Sequence, residues 1–443
     1  MKFTYLNFIL IVVLFFSCSQ KPVPSSKQIE TTSNWSENPW PEIRIKRINQ
    51  LLPEAMKVAG VDAWLVICRE NDNDPLADHV GGENAGGTAA FLFYLDKQGF
   101  HSLVFSPEGE AKALDELDIH DEVRYVKRGV STISEAASFI QSKSFTKIAI
   151  NSSETNYLAD GLSYTQRQEL EKSLGKYAKR LVSSDELIYE WMSVKLPEEV
   201  EIMAKAAQLT ADWQVEAYQQ VIPGKTTDAD VARFLKRKIA EHGVEDGWAA
   251  DQNPNVNSGP DRGHSHATNK VIQPGDVIQT DFGIKVYGRW VTDIQRFAYV
   301  LKEGETKAPE AIQNYWNVGK QGSRIALEAM KPGVRGIDVD KAQRDWMEKN
   351  GSLFVPWSTG HPVGYVAHDS GPNLGGAQAK TPRVASLRTL KEGMTFAYDG
   401  FYCWKQADGT EKTISVEEMA VVTKEGARYL IPPQEELVLI KSK

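Results

Sequence analysis

Between residues 40 and 184 the chain alternates short apolar runs with segments of helical spacing. Residues 60–67 (GVDAWLVI) form a compact β-prone run, and shorter ones follow at 90–94, 102–105 and 147–150. Residues 45–59 and 134–141 instead carry apolar side chains at helical intervals. Pro53 marks a kink or a break in the first of these helices, because proline has no N–H to give and its ring crowds the preceding turn. Such alternation predicts a layered α/β domain. Near residue 190 the pattern changes. Pro197 followed by Glu198 and Glu199 opens a long helix, since proline's missing donor costs nothing in a first turn and acids favour the positive end of the helix dipole. Further on, β-prone runs at 277–282 and 290–299 flank a polar turn at 285–288, which predicts an antiparallel hairpin. With that turn centred on Tyr287, Asp281 and Asp293 stand directly opposite each other on one face, where like charges repel unless something positive lies between them.

A second stretch has the same outline. Residues 393–400 (GMTFAYDG) repeat the order seen at 275–281: a glycine, one variable position, four mostly β-prone residues, then aspartate, so Asp399 takes the place of Asp281. Another strand follows each, carrying Asp293 in the first case and Glu417 in the second. The segments ahead repeat too, IPGKTTDADV at 222–231 and KPGVRGIDVD at 331–340. An internal duplication of this kind predicts two half-domains about a pseudo-twofold axis, with Asp281, Asp293, Asp399 and Glu417 gathered in one central cleft.

Histidines cluster ahead of both units: His264 and His266 before the first, His361 and His368 before the second. Beside four carboxylates, His361 in its glycine-rich loop becomes a candidate fifth ligand. The amino-terminal half shows no comparable constellation, and His79 beside Asp78 and Glu83 reads as a solvated loop.

With 443 residues, 41% of them apolar, the chain can bury two or three cores. A formal net charge of −8 argues against nucleic acid as a partner. Lys2 precedes an apolar run at 8–16, too short to span a bilayer but suited to the core of a secretory signal. Ser17 and Cys18 follow at once and resemble a bacterial lipoprotein cleavage box, the alternative being an ordinary cleaved signal. The boundaries are then a signal at 1–18, a tether rich in Ser, Thr, Pro and Lys at 19–39, an α/β domain at 40–190 and a catalytic domain at 191–443. The expected location is the bacterial cell envelope, facing periplasm or cell surface, with the membrane reached only through a lipid on Cys18. Cys68 and Cys403 are left as buried thiols rather than a disulfide.

The order Asp281, Asp293, His361, Asp399, Glu417 resembles the metal-ligand order of the pita-bread metallopeptidases, the superfamily of creatinase, prolidase and Xaa-Pro aminopeptidase. Residues 194–199 (VKLPEE) resemble that superfamily's domain junction, 257–266 its substrate loop, and 360–364 (GHPVG) the segment of its metal histidine. The resemblance spans the mature chain and implies an α/β amino-terminal domain followed by an α+β pita-bread catalytic domain. It implies two divalent metal ions, bridged by Asp293 and Glu417, with Asp281 chelating one and His361 and Asp399 holding the other. An oxygen-rich set of this kind suits Mn²⁺ best, with Fe, Co or Zn as alternatives. His368 and one of His264 and His266, the spacing favouring His264, would bind substrate and stabilise the oxyanion. Three positions depart from the superfamily pattern: Asp399-Gly400 in place of glutamate and proline, Trp357 in place of a histidine, and Ser415 in place of an arginine. The expected activity is hydrolysis of short peptides with proline after the first residue. A pita-bread enzyme acting on a non-peptide C–N or C–S bond, or a peptide-binding pseudoenzyme, is the alternative, and a homodimer is left open.

Overall fold

The computed structural model describes residues 35, 37–71, 74–263 and 265–441. The signal and tether, Cys18 and His264 therefore lie outside the described residues, apart from parts of 35–39. The β-prone runs of the first half all enter one six-stranded sheet, in the order Glu122–Val126, Gly99–Pro107, Ala89–Asp96, Ala63–Cys68, Ile148–Ile150 and Leu181–Ser183. Its first and last members escape the sequence pattern because edge strands keep one side in water and need no apolar run: Glu122 and Tyr125 are exposed and Leu181–Ser183 is only half-buried. The helix expected over 45–59 is two helices, Trp40–Lys46 and Leu52–Ala59, joined by a π-helical turn at Arg47–Leu51. Pro53 stands in the first turn of the second helix, so the irregularity falls just ahead of it, where the missing N–H leaves a carbonyl without its partner.

His79 is a correction. It is buried rather than solvated, edge-on to the rings of Trp40, Trp191 and Tyr365, and burial followed by the charge of Arg47 pushes its pKa well below the usual histidine value. Its acidic neighbours are occupied elsewhere, Glu83 with Arg44 at 2.5 Å and Asp78 with Arg289.

The long helix runs over Pro197–Gln219, with proline in its first turn as expected. The duplication beyond it is visible hydrogen bond by hydrogen bond. In the first half Gly224 N–H donates to Ile272 O at 2.8 Å, and in the second Gly333 N–H donates to Leu390 O at 2.9 Å. Likewise Gly275 N–H reaches Val300 O at 2.7 Å and Gly393 N–H reaches Val422 O at 2.9 Å. Both turn glycines, Gly224 and Gly333, have φ near +80° (77° and 85°), which costs a residue without Cβ little. Each half ends in a four-stranded sheet, one ordered Val438–Ile440, Ile294–Val300, Val277–Phe282, Asn255–Ser258, the other Gly360–Pro362, Thr395–Lys405, Glu411–Thr423, Gly426–Tyr429.

The hairpin of the first half differs from expectation. The strand after Phe282 is interrupted at Gly283, and Ile284–Val286 pairs with Trp290–Val291 in a separate three-stranded sheet before Ile294–Val300 returns. Its turn is centred on Gly288 rather than Tyr287, because Val286 pairs with Trp290. Asp281 consequently faces Gln295, not Asp293. Since the side chains of a strand alternate, Asp293 two positions back remains on the same side as Asp281, as a diagonal neighbour. Gly283 makes the break possible, for a Cβ there would collide with Thr292 O and the Trp248 ring.

Helix Pro197–Gln219 covers the back of the first sheet: Tyr218 Oη donates to Arg296 O at 2.6 Å and Gln214 Nε2 to Ile294 O at 3.1 Å. Helix Glu310–Ala329 covers the back of the second at Gly400. The opposite faces, which carry the acids, turn toward each other. Cys68 and Cys403 are both buried. Among the described residues no helix is long and apolar enough to cross a membrane.

Candidate metal centre

Strand register puts the second-half ligand candidates together. Asp399 pairs directly with Glu417, and His361 pairs with Ala397, two positions from Asp399, so all three side chains leave the same face of that sheet. Asp293 arrives from the facing sheet. Asp293, His361 and Glu417 each offer a ligand atom, and these atoms lie within 4.8 Å of one another. His361 Nε2 stands 3.6 Å from Asp293 Oδ2, while its Nδ1 is 3.2 Å from Pro362 O. That carbonyl can only accept, so Nδ1 carries the proton and Nε2 presents its lone pair to the acids.

The electrostatics suit bound positive charge. Burial, then the charges of Asp281 and Asp399 and a hydrogen bond with Asp281, hold the Asp293 pKa well above the carboxylate range. Burial, then Asp293, Asp399 and Asp281, do the same to Glu417, and Gln295 opposes the shift by hydrogen bonding. Glu417 Oε2 is buried with no hydrogen-bond donor among the described residues. Desolvating four acids around a common point is costly unless cations repay it. The residues present thus fit divalent metal.

His368 meets His361 edge-on, with ring centroids 4.2 Å apart. The loop between them is pinned from behind: Asp369 N–H donates to Pro362 O at 3.0 Å, and the Asp369 carboxylate takes Tyr365 N–H at 2.9 Å and the Lys195 ammonium at 3.1 Å. Tyr365 Oη in turn donates to Glu199, which also receives Trp290 Nε1 at 3.1 Å and Arg47 Nη1 at 2.7 Å. A buried chain of polar contacts therefore runs from the amino-terminal helices through Lys195 and Glu199 of the junction to the histidine loop.

Of the other expected site residues, His266 is exposed, and no ring contact or ion pair to the acids is described for it. Trp357 is 45% exposed four residues ahead of His361, with its carbonyl held by Arg344. Ser415 is buried and bonded to Gln295. Sequence reasoning missed Gln279 and Gln295, which line the cleft beside the acids; the available signal was their offset of two from Asp281 and Asp293, which places them on the same strand face.

Residues 201–424, just over half of the chain, match metallopeptidase family M24. The chain belongs to that family. It is a metallopeptidase, and its centre is one for divalent metal. Among curated proteins it is similar to an Xaa-Pro dipeptidase of Pyrococcus furiosus, 26% identical over 310 residues, which cover 68% of this chain and 80% of that protein. An Xaa-Pro dipeptidase of Pyrococcus horikoshii is 24% identical over 288 residues, 63% of this chain and 74% of the other. Among solved structures, the X-Pro aminopeptidase of Thermotoga maritima superposes with a TM-score of 0.64 at 20% identity, covering 87% of this chain and all (100%) of that one. An Xaa-Pro dipeptidase of Bacillus anthracis gives 0.64 at 19% identity over 90% of this chain and 100% of its own. This is the pita-bread fold, an α/β domain followed by the duplicated catalytic one.

Proposed function

We propose that this peptidase is a manganese-dependent exopeptidase of the Xaa-Pro aminopeptidase or prolidase type, acting on short peptides with proline after the first residue. The observation that carries the reading is the convergence of Asp293, His361 and Glu417 within 4.8 Å, beside Asp281 and Asp399, whose charges help raise the pKa of Asp293 and Glu417. The printed names of the two archaeal relatives support the substrate class. When bound, divalent ions supply Lewis acidity and a water of lowered pKa. Asp281, Asp293, His361, Asp399 and Glu417 are the residues that would hold them, with Asp293 and Glu417 as the shared ligands, Asp281 serving one side and His361 and Asp399 the other. His368, steadied through Asp369 and Lys195, lies beside His361 on the substrate side and donates to the oxygen on which charge develops. A histidine of the substrate loop, His264 or His266, completes the peptide contacts. Residues 40–190 form the amino-terminal domain and 191–443 the catalytic one.

Purified protein should be stripped of metal, titrated with Mn²⁺, and assayed on Xaa-Pro dipeptides and longer peptides with and without Mn²⁺. The expected result is cleavage after the first residue, stimulated by Mn²⁺, with one tight and one weak site because Asp399 is a methylene shorter than glutamate. A fully metal-loaded protein that leaves every Xaa-Pro peptide intact would sink the substrate assignment, pointing to a non-peptide C–N or C–S bond or to peptide binding alone.

The apolar run ending at Ser17 and Cys18 supports a lipoprotein of the cell envelope, with both domains outside the cytoplasm. Cys18→Ala is expected to move the protein out of the membrane fraction or to stall its processing. Unchanged processing and partition in fractionated cells would remove the lipid anchor.

A further inference from the structure

We infer that Gln295 is a positioning residue for the Glu417 carboxylate, an uncharged clamp joining the two half-domains across the cleft. The inference rests on the reading of Glu417 as a metal ligand and adds to it the device that aims that ligand. Gln295 occupies, opposite Asp281, the place that Glu417 occupies opposite Asp399 in the second half. One half of the duplication thus carries a carboxylate at this position and the other its amide.

The amide has a defined orientation. Its Oε1 accepts from Ser415 Oγ at 2.7 Å and from Gln279 Nε2 at 2.5 Å, and the same Gln279 amide lies 3.2 Å from Ser415 Oγ. A glutamine amide is planar, with an acceptor on one arm and two donors on the other, so an oxygen held by two donors aims the NH₂ group the opposite way. Ser415, whose hydroxyl holds that oxygen, stands two positions from Glu417 on the same face of strand Glu411–Thr423, so the amide lies beside that ligand. Gln295 is 5% exposed and Ser415 is buried as well, so solvent does not supply this donor in its place.

Charge explains why an amide serves here. A cation at Gln295 would cancel part of the negative field that draws dications into the cleft, and a fifth carboxylate would add to the repulsion that already raises the pKa of Asp293 and Glu417. An apolar side chain would leave Glu417 free to turn. The neutral donor orients the ligand and leaves the charge of the acids intact. Donors behind a ligand commonly set metal affinity in this way.

The test is calorimetric titration of metal-free protein with Mn²⁺, without peptide, so a failure of the Xaa-Pro assignment does not touch it. Gln295→Leu is expected to weaken Mn²⁺ binding by about 10–100-fold. Ser415→Ala, which removes one of the two donors holding the amide, should weaken it several-fold, and Ser415→Thr, which keeps the hydroxyl, should restore it. Wild-type affinity in Gln295→Leu, or a Ser415→Thr protein as weak as Ser415→Ala, overturns the clamp. Wild-type protein that takes up no Mn²⁺ overturns the clamp and the metal reading together, and is recognised before any variant is made.

Discussion

Glu417→Ala is expected to abolish metal binding and peptide hydrolysis together. Glu417 sits at the centre of the site: it pairs with Asp399 across the sheet and lies within 4.8 Å of ligand atoms of Asp293 and His361. On the proposed reading Glu417 would be shared by two ions, so its removal would lower the affinity of each rather than convert the centre to a single-ion site. The fold should persist, because much of its apolar core, including Ile278, Ile294, Phe396 and Ala420, lies on the helix-covered backs of the sheets. Metal content by mass spectrometry and turnover on an Xaa-Pro peptide check the expectation, and a variant retaining both would show that Glu417 is not a ligand. The isosteric Glu417→Gln separates charge from volume. In metal-free protein the pKa of Glu417 is raised above its unfolded value of about 4.3, so its contribution to stability is complete below that pH and is lost as pH rises through the folded value. Metal-free Glu417→Gln should accordingly melt higher than the metal-free parent at pH 8, and the difference should vanish near pH 4. Added Mn²⁺ should reverse the order at pH 8 by stabilising the parent alone.

Gly400→Ala is expected to cost about 3 kcal/mol of stability and to damage the metal site with it. Helix Glu310–Ala329 runs so close behind the strand Thr395–Lys405 that a Cβ on Gly400 would overlap Gly319 O and Ser323 N, both of them backbone. Backbone cannot rotate away as a side chain can, so the helix must shift. Its own glycines at the contact, Gly319 and Gly322, cost helix propensity of roughly 1 kcal/mol each and are offset by the close approach they permit. Asp399 is the next residue along the strand, and displacement of the backbone moves it relative to Glu417. A drop in melting temperature together with weaker Mn²⁺ binding is the expected result. Gly109→Ala, where the new Cβ meets nothing within 4 Å, serves as the control and should lie within about 0.5 kcal/mol of the parent. If Gly400→Ala matched that control, the helix and strand would have more room than their contact indicates.

The Gly400 contact also gives a physical reason for one of the departures noted in the sequence. Where the superfamily pattern has proline after its acid, this chain needs the smallest residue, because the helix occupies the space behind it. The lost arginine at Ser415 has a counterpart too: the serine hydroxyl helps hold Gln295. Trp357 has none that the structure explains.

The features legible in the sequence were those carried by local pattern. Short β-prone runs marked four strands of the first sheet and the acid-bearing strands of both halves, proline followed by glutamates marked the start of helix Pro197–Gln219, and the repeated glycine-to-aspartate spacing revealed the duplication. Repeated spacing also implied that the acids converge, since two copies of one fold related by an axis bring equivalent residues to it. What the sequence could not contain was register and contact between segments far apart in the chain. A one-residue difference in turn centre decided that Asp281 faces Gln295 rather than Asp293, and it followed from Gly283 and the collision a Cβ would suffer there with Thr292. His79 was misread as solvated because its burial depends on Trp191 and Tyr365, more than a hundred residues away. Gln295 looked like one more polar strand residue until Ser415, from the other half, was seen to hold its oxygen. Local sequence determines which side chains leave a strand on one face, because alternation is a property of the backbone. Which partner those side chains meet is decided by packing between elements, where a single methyl group against a carbonyl outweighs the weak preferences that local pattern expresses.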